Sequence, residues 1–165
     1  MVTRLEDYEG APVFRGRVRF EDDWYLLDVD DAVVRYFATA LEELNARLPI
    51  RLVERPHISV IKGERPSLKV AKWGRGFVNE IIEFRANEIL HHENGRHVWI
   101  NCVSDRLCEM REYFSLPTMK KDGVYRVNYH LTLAHLTTPM EAVPRPAYRL
   151  SPATGIDAET LMQHL

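Results

Sequence analysis

The tracts His57-Ile58-Ser59 and His130-Leu131-Thr132 each place a hydroxyl residue two positions after a histidine. Side chains alternate in direction along an extended chain, so His57 and Ser59 should share one face while Ile58 and Val60 point to the other. His130 and Thr132 follow the same rule against Leu131 and Leu133. Breaking a phosphodiester without a metal needs a base for the nucleophile, an acid for the leaving oxygen and donors for the non-bridging oxygens. Two imidazoles and two hydroxyls supply that set. An imidazole with an ordinary pKa of about 6.5 can be neutral in one copy and protonated in the other near neutral pH. Each hydroxyl lies one pleat from its histidine, about 6.5 to 7 Å in Cα spacing, so it can hold phosphate oxygens while the ring faces a bridging one. The pattern does not assign base and acid between the two histidines. It also leaves open whether a substrate 2′-OH or water attacks.

The elements that must position these residues are legible as hydropathy patterns. PVFRGRVRF alternates apolar and basic residues, and with WYLLDVD it predicts a hairpin or two short strands over residues 12 to 29. Asp30 or Asp31 caps a predicted helix whose apolar positions Val33, Val34, Phe37, Leu41, Leu44 and Leu48 recur until Pro49 stops it. Residues 50 to 62 read as the first motif strand. VNEIIEFRANEIL and RHVWINCVS flank an Asn94-Gly95 turn signal. A second helix is predicted from a Ser104 cap to Phe114, followed by a turn at TMKKDG and the second motif strand in VYRVNYHLTLAHL. The order of strands, helix, strand, two strands, helix and strand is an α+β pattern with two strand and helix halves. Four prolines between residues 137 and 165 predict an irregular C-terminal tail, with room for a short helix at DAETLMQHL.

With these elements in order, the HIS and HLT tracts resemble the two H-x-[ST] signatures of the 2H phosphoesterase superfamily. DYEGAPVFRGRV, DDWYL and HISVIKGE are most similar to the bacteriophage anti-CBASS phosphodiesterases, where Thr is more usual at the position of Ser59. The resemblance implies a bilobal α+β fold with pseudo-symmetric halves and antiparallel sheets around a central cleft. It implies metal-independent hydrolase chemistry without a cofactor, His57, Ser59, His130 and Thr132 being catalytic. The implied substrates are cyclic di- or trinucleotide immune signals cut at a 3′–5′ phosphodiester. A 2′,3′-cyclic phosphodiesterase acting on RNA ends is the alternative, and a non-cleaving cyclic-nucleotide sponge is another.

A nucleotide substrate also needs its bases and further phosphates held. Stacking on an aromatic ring contributes about 1–3 kcal/mol per base, and Tyr8, Trp24, Tyr25, Trp73 and Tyr129 are the candidate platforms. Trp73 stands out because KWGRG surrounds it with glycines and cations. Lys62 follows the first motif strand and is placed to meet a phosphate, as are Lys72 and Arg75. Glu141 or Tyr148 in the tail is a candidate for a base edge. His91, His92 and His97 flank the Asn-Gly turn without an established zinc spacing, so they read as a solvated hairpin tip and no metal site is expected. His135 falls on the Leu131 and Leu133 face and reads as a hydrogen-bonded packing residue.

Length and composition bound the rest. The 165 residues, 45% hydrophobic, suffice for one domain with a full core. With 22 basic and 24 acidic residues the formal charge is −2, which argues against binding long nucleic acid. The charged first residues and the lack of a long apolar run predict a cytoplasmic protein without a membrane partner. Cys102 and Cys108 read as reduced packing residues.

Overall fold

Strands form where the alternation places them, beginning with the basic and apolar repeat that follows Pro12. The computed structural model describes residues 3–4, 8–46, 49–66, 70–93, 96–118, 120–121, 124–125, 129–137, 148–151 and 155–156. In chain order the strands are β1 (Thr3–Arg4), β2 (Val13–Glu21), β3 (Trp24–Val29), β4 (Ile50–Leu52), β5 (His57–Ile61), β6 (Ile81–Ala86), β7 (Ile89–Glu93) and β8 (His97–Val103). They continue as β9 (Lys120–Lys121), β10 (Val124–Tyr125), β11 (Tyr129–Leu136), β12 (Tyr148–Ser151) and β13 (Gly155–Ile156). The helices are α1 (Asp31–Tyr36), α2 (Ala38–Asn45) and α3 (Asp105–Tyr113). The fold is α+β, and the pairs β1–β10, β9–β10, β4–β11, β12–β13, β7–β12, β2–β3, β2–β6, β3–β5, β6–β8 and β7–β8 are antiparallel. No helix among these residues is long and apolar enough to cross a membrane.

The chain divides into two compact units interleaved along the sequence. The first comprises residues 1–29, 57–87 and 101–130, and the second residues 30–56, 88–100 and 131–165. The division does not follow N- and C-terminal halves, since the chain passes between units five times.

In the first unit β2 lies between β3 and β6, and β3 also pairs with β5. The β2–β3 hairpin turns at Asp22 and Asp23, whose φ angles of 51° and 68° are the left-handed values a two-residue hairpin turn requires. Val18, Leu27, Ile58, Val60, Ile82 and Phe84 form the buried face of this sheet. β2 and β3 approach closely at Gly16. A Cβ there would stand 2.6 Å from Leu27 Cγ and 2.7 Å from the Asp28 carbonyl oxygen. Gly16→Ala should therefore push the hairpin apart and destabilise the protein by about 1–3 kcal/mol, read as a lower urea midpoint. An unchanged midpoint would show that the strands separate without penalty.

Helix α3 starts at the expected cap, where Ser104 Oγ accepts from the Leu107 N–H at 3.4 Å and donates to the Glu83 carbonyl at 2.7 Å. Its Arg111 is buried and is bound on three sides. The guanidinium forks onto Glu64 at 2.7 and 2.8 Å and donates to the carbonyls of Val60 and Pro117, both at 2.9 Å. Cys102 and Cys108 are free thiols in the core.

In the second unit Asp30 caps α1 by accepting from the Ala32 N–H at 2.7 Å. The single helix predicted to run to Pro49 is divided at buried Phe37, whose N–H is bonded back to the Val33 carbonyl. β7 and β8 pair on either side of Asn94-Gly95 as expected, and β4 pairs with β11. The predicted strand over residues 50 to 62 is interrupted between β4 and β5. There the Val53 N–H donates to the Leu133 carbonyl, and Pro56 has no N–H to extend the ladder. The tail is not wholly irregular: β12 pairs with β7 and β13. The terminal helix considered at residues 157 to 165 lies outside the described residues.

Candidate functional site

The alternation predicted for both motifs is present. On β5, His57 and Ser59 are half-buried while Ile58 and Val60 are buried; on β11, His130 is exposed and Thr132 half-buried between buried Tyr129, Leu131 and Leu133. Apolar neighbours anchor each strand on one side and leave its histidine and hydroxyl accessible on the other. His57, Ser59 and His130 belong to the first unit, and Thr132 to the second.

The surroundings of His57 are fixed by strand register. His57 stands opposite Asp28 on β3, which stands opposite Arg17 on β2. Ser59 stands opposite Leu26, which stands opposite Arg19. Directly opposed residues project to the same face, so the motif shares a sheet face with the arginines of RGRVR. The charges of that face are mostly paired. Arg19 donates to both Asp28 oxygens, at 2.7 and 3.1 Å, and also bonds Glu21. The bond to Asp28 raises the Arg19 pKa, against the lowering effect of burial. Arg15 bonds Glu83 at 2.6 and 2.9 Å. The arginine row was visible in the sequence as an alternation of basic residues, but its place beside His57 depends on register, which the sequence does not show.

The expected stacking platforms are placed differently. Tyr25 is fully buried and Tyr8 nearly so, so neither offers a ring face to a base. Trp73 is half-buried and meets Phe20, Tyr25 and Phe114 edge-on, with centroids 5.1 to 5.6 Å apart. Its indole N–H donates to Asp23 at 2.7 Å, and Arg65 bonds the same carboxylate. The indole bond holds the Asp23 pKa below the ordinary value, with Arg65 adding to the effect. Burial raises the Tyr25 pKa, partly offset by the Gly74 N–H that its oxygen accepts at 2.9 Å. Gly74 has φ 75° beside the Phe20 ring, so the glycine of KWGRG serves packing of this cluster.

Lys62 is exposed and sits over the Trp24 ring, 4.5 Å from its centroid. Lys72 and Arg75 are exposed. Glu141 and the side chain of Tyr148 lie outside the described residues. A cavity of about 600 Å³ in the first unit is walled by Tyr8, Phe84, Arg85 and Asp105 among others, and includes none of the four motif residues.

His135 is hydrogen-bonded as expected, its Nδ1 2.9 Å from that of exposed His97, but it is itself exposed at the end of β11 rather than packed. One ring donates and the other accepts, which requires different protonation at the two nitrogens. His91 stacks on its cross-strand neighbour Trp99, with centroids 5.7 Å apart. No group of three or more metal-ligating side chains occurs among the described residues.

The chain matches no family model, no curated protein and no solved structure. The functional reading therefore rests on the motif residues and their setting.

Proposed function

We propose that this protein is a metal-independent phosphodiesterase that cuts 3′–5′ bonds of cyclic di- or trinucleotide signals and so counters bacterial CBASS defence in the cytoplasm. The two-lobed 2H fold belongs to the same proposal. The observation that carries it is the paired exposure of His57 with Ser59 and of His130 with Thr132, each on a strand whose intervening residues are buried. On each of β5 and β11 an accessible histidine and hydroxyl flank a buried residue, an arrangement that suits proton transfer and phosphate binding better than core packing.

In this mechanism one imidazole takes the proton of the attacking oxygen as it bonds to phosphorus, and the other protonates the departing ribose oxygen. Ser59 and Thr132 donate to the non-bridging oxygens, where charge builds. A non-enzymatic sponge would need cations and ring faces but no such set. Incubating the protein with cyclic di- and trinucleotides and 2′,3′-cyclic mononucleotides in EDTA, with mass spectrometry of the products, tests the reading. The expected product is a linear oligonucleotide, either heavier than the ring by one water or ending in a 2′,3′-cyclic phosphate. Substrates bound but recovered intact would establish the sponge instead, and turnover that disappears with EDTA would contradict metal independence.

A further inference from the structure

The face that carries His57 and Ser59 also carries three arginines from β2, the strand on the far side of β3, and they differ in what holds them. Arg15 is committed to Glu83, and Arg19 to Asp28 and Glu21. Arg17, between them on β2, is exposed, and its contact is a 3.5 Å approach of Nη1 to the Asn79 carbonyl. No carboxylate among the described residues pairs with it. Its cross-strand neighbour Asp28 is bridged by Arg19 through both oxygens, which draws that carboxylate away from Arg17.

Register then sets where this guanidinium lies. Arg17, Asp28 and His57 form one lateral row over three adjacent strands. With strands about 4.8 Å apart, the Cα atoms of Arg17 and His57 are roughly 10 Å from one another. An anion in contact with Arg17 is thus separated from a phosphate at His57 by a distance of the order of one nucleotide. A planar guanidinium that no carboxylate among the described residues pairs with is well suited to fork onto phosphate oxygens.

We propose that Arg17 is a second anion site, which binds a non-scissile phosphate and makes substrates with two or more phosphates preferred over those with one. The inference rests on the phosphodiesterase reading for its substrate and on the arginine row for its site.

The test compares wild-type protein with Arg17→Gln and Arg17→Lys on a cyclic dinucleotide and on a 2′,3′-cyclic mononucleotide, which has a single phosphate. Arg17→Gln should raise KM for the dinucleotide about tenfold with kcat within about twofold, and leave the mononucleotide kinetics unchanged. Arg17→Lys should recover part of the loss. The dinucleotide KM of the wild type should rise more steeply with salt than that of Arg17→Gln. Equal effects on the two substrates, or none on either, would overturn the proposal. If the wild type cleaves neither, the phosphodiesterase reading fails, and calorimetric binding of the dinucleotide decides Arg17 separately. About tenfold weaker binding by Arg17→Gln at unchanged Tm supports the anion site, whereas equal affinity, or no binding by the wild type, overturns it.

Discussion

Replacing either His57 or His130 with alanine should lower turnover by about 10²–10⁴-fold, the usual contribution of a positioned acid or base. His57 is half-buried and His130 exposed, on strands whose anchoring side chains, Ile58, Val60, Leu131 and Leu133, point the other way. Thermal unfolding of both variants should therefore stay close to wild type, since substitutions at accessible positions usually change stability by no more than about 0.5 kcal/mol. The separation of rate from stability is the informative part: a large drop in kcat with an unchanged Tm assigns the histidines to chemistry. The double variant should fall short of the product of the two losses, because groups that act as a unit are not additive. Ser59→Ala and Thr132→Val should cost less than either histidine. Full activity in the double histidine variant would contradict the assignment.

The largest stability effect is expected at Arg111, far from any motif residue in sequence but bound to the strand that carries one. Its guanidinium donates to the Val60 carbonyl, next along β5 from Ser59, and joins α3 to that strand through Glu64. Arg111→Met keeps the unbranched apolar stem but removes the guanidinium, which leaves the Val60 and Pro117 carbonyls without this donor. The side chain of Arg111 is 7% exposed and that of Glu64 is 38% exposed, so the orphaned carboxylate can rehydrate and the loss should sit near the low end for a broken buried pair. A destabilisation of about 2–3 kcal/mol is expected, read as a lower urea midpoint with an unchanged slope. Glu64→Leu added to Arg111→Met should recover part of it, by removing the carboxylate left without its partner. A midpoint equal to wild type in Arg111→Met would show that the pair contributes nothing to the fold.

The sequence carried the local rules well. Asp30 and Ser104 cap their helices because each is a short oxygen acceptor just ahead of a helical apolar pattern, and Asn94-Gly95 separates two paired strands. Both motif strands show the predicted alternation of accessible and buried residues. Long-range contacts overruled those rules elsewhere. Asn87 breaks the predicted run from Val78 to Leu90 by bonding Asn101 through both its N–H and its side-chain oxygen. Trp73 looked like an exposed platform because glycines and cations flank it, yet Asp23, fifty positions earlier, takes its indole N–H. Arg17 was one basic residue among three until register placed it across from Asp28 and pairing removed its neighbours' charges. Such features depend on which strands meet and in what register, which hydropathy does not encode.

The proposed reaction requires both imidazoles to act on one phosphate. The most direct measurement is an imidazole ¹H–¹⁵N NMR titration with a non-hydrolysable phosphorothioate cyclic dinucleotide. The His57 and His130 resonances should move together and saturate with a single Kd, while those of His91 and His135 stay in place. Movement of only one motif histidine, or of neither at concentrations where the ligand is bound, would contradict it.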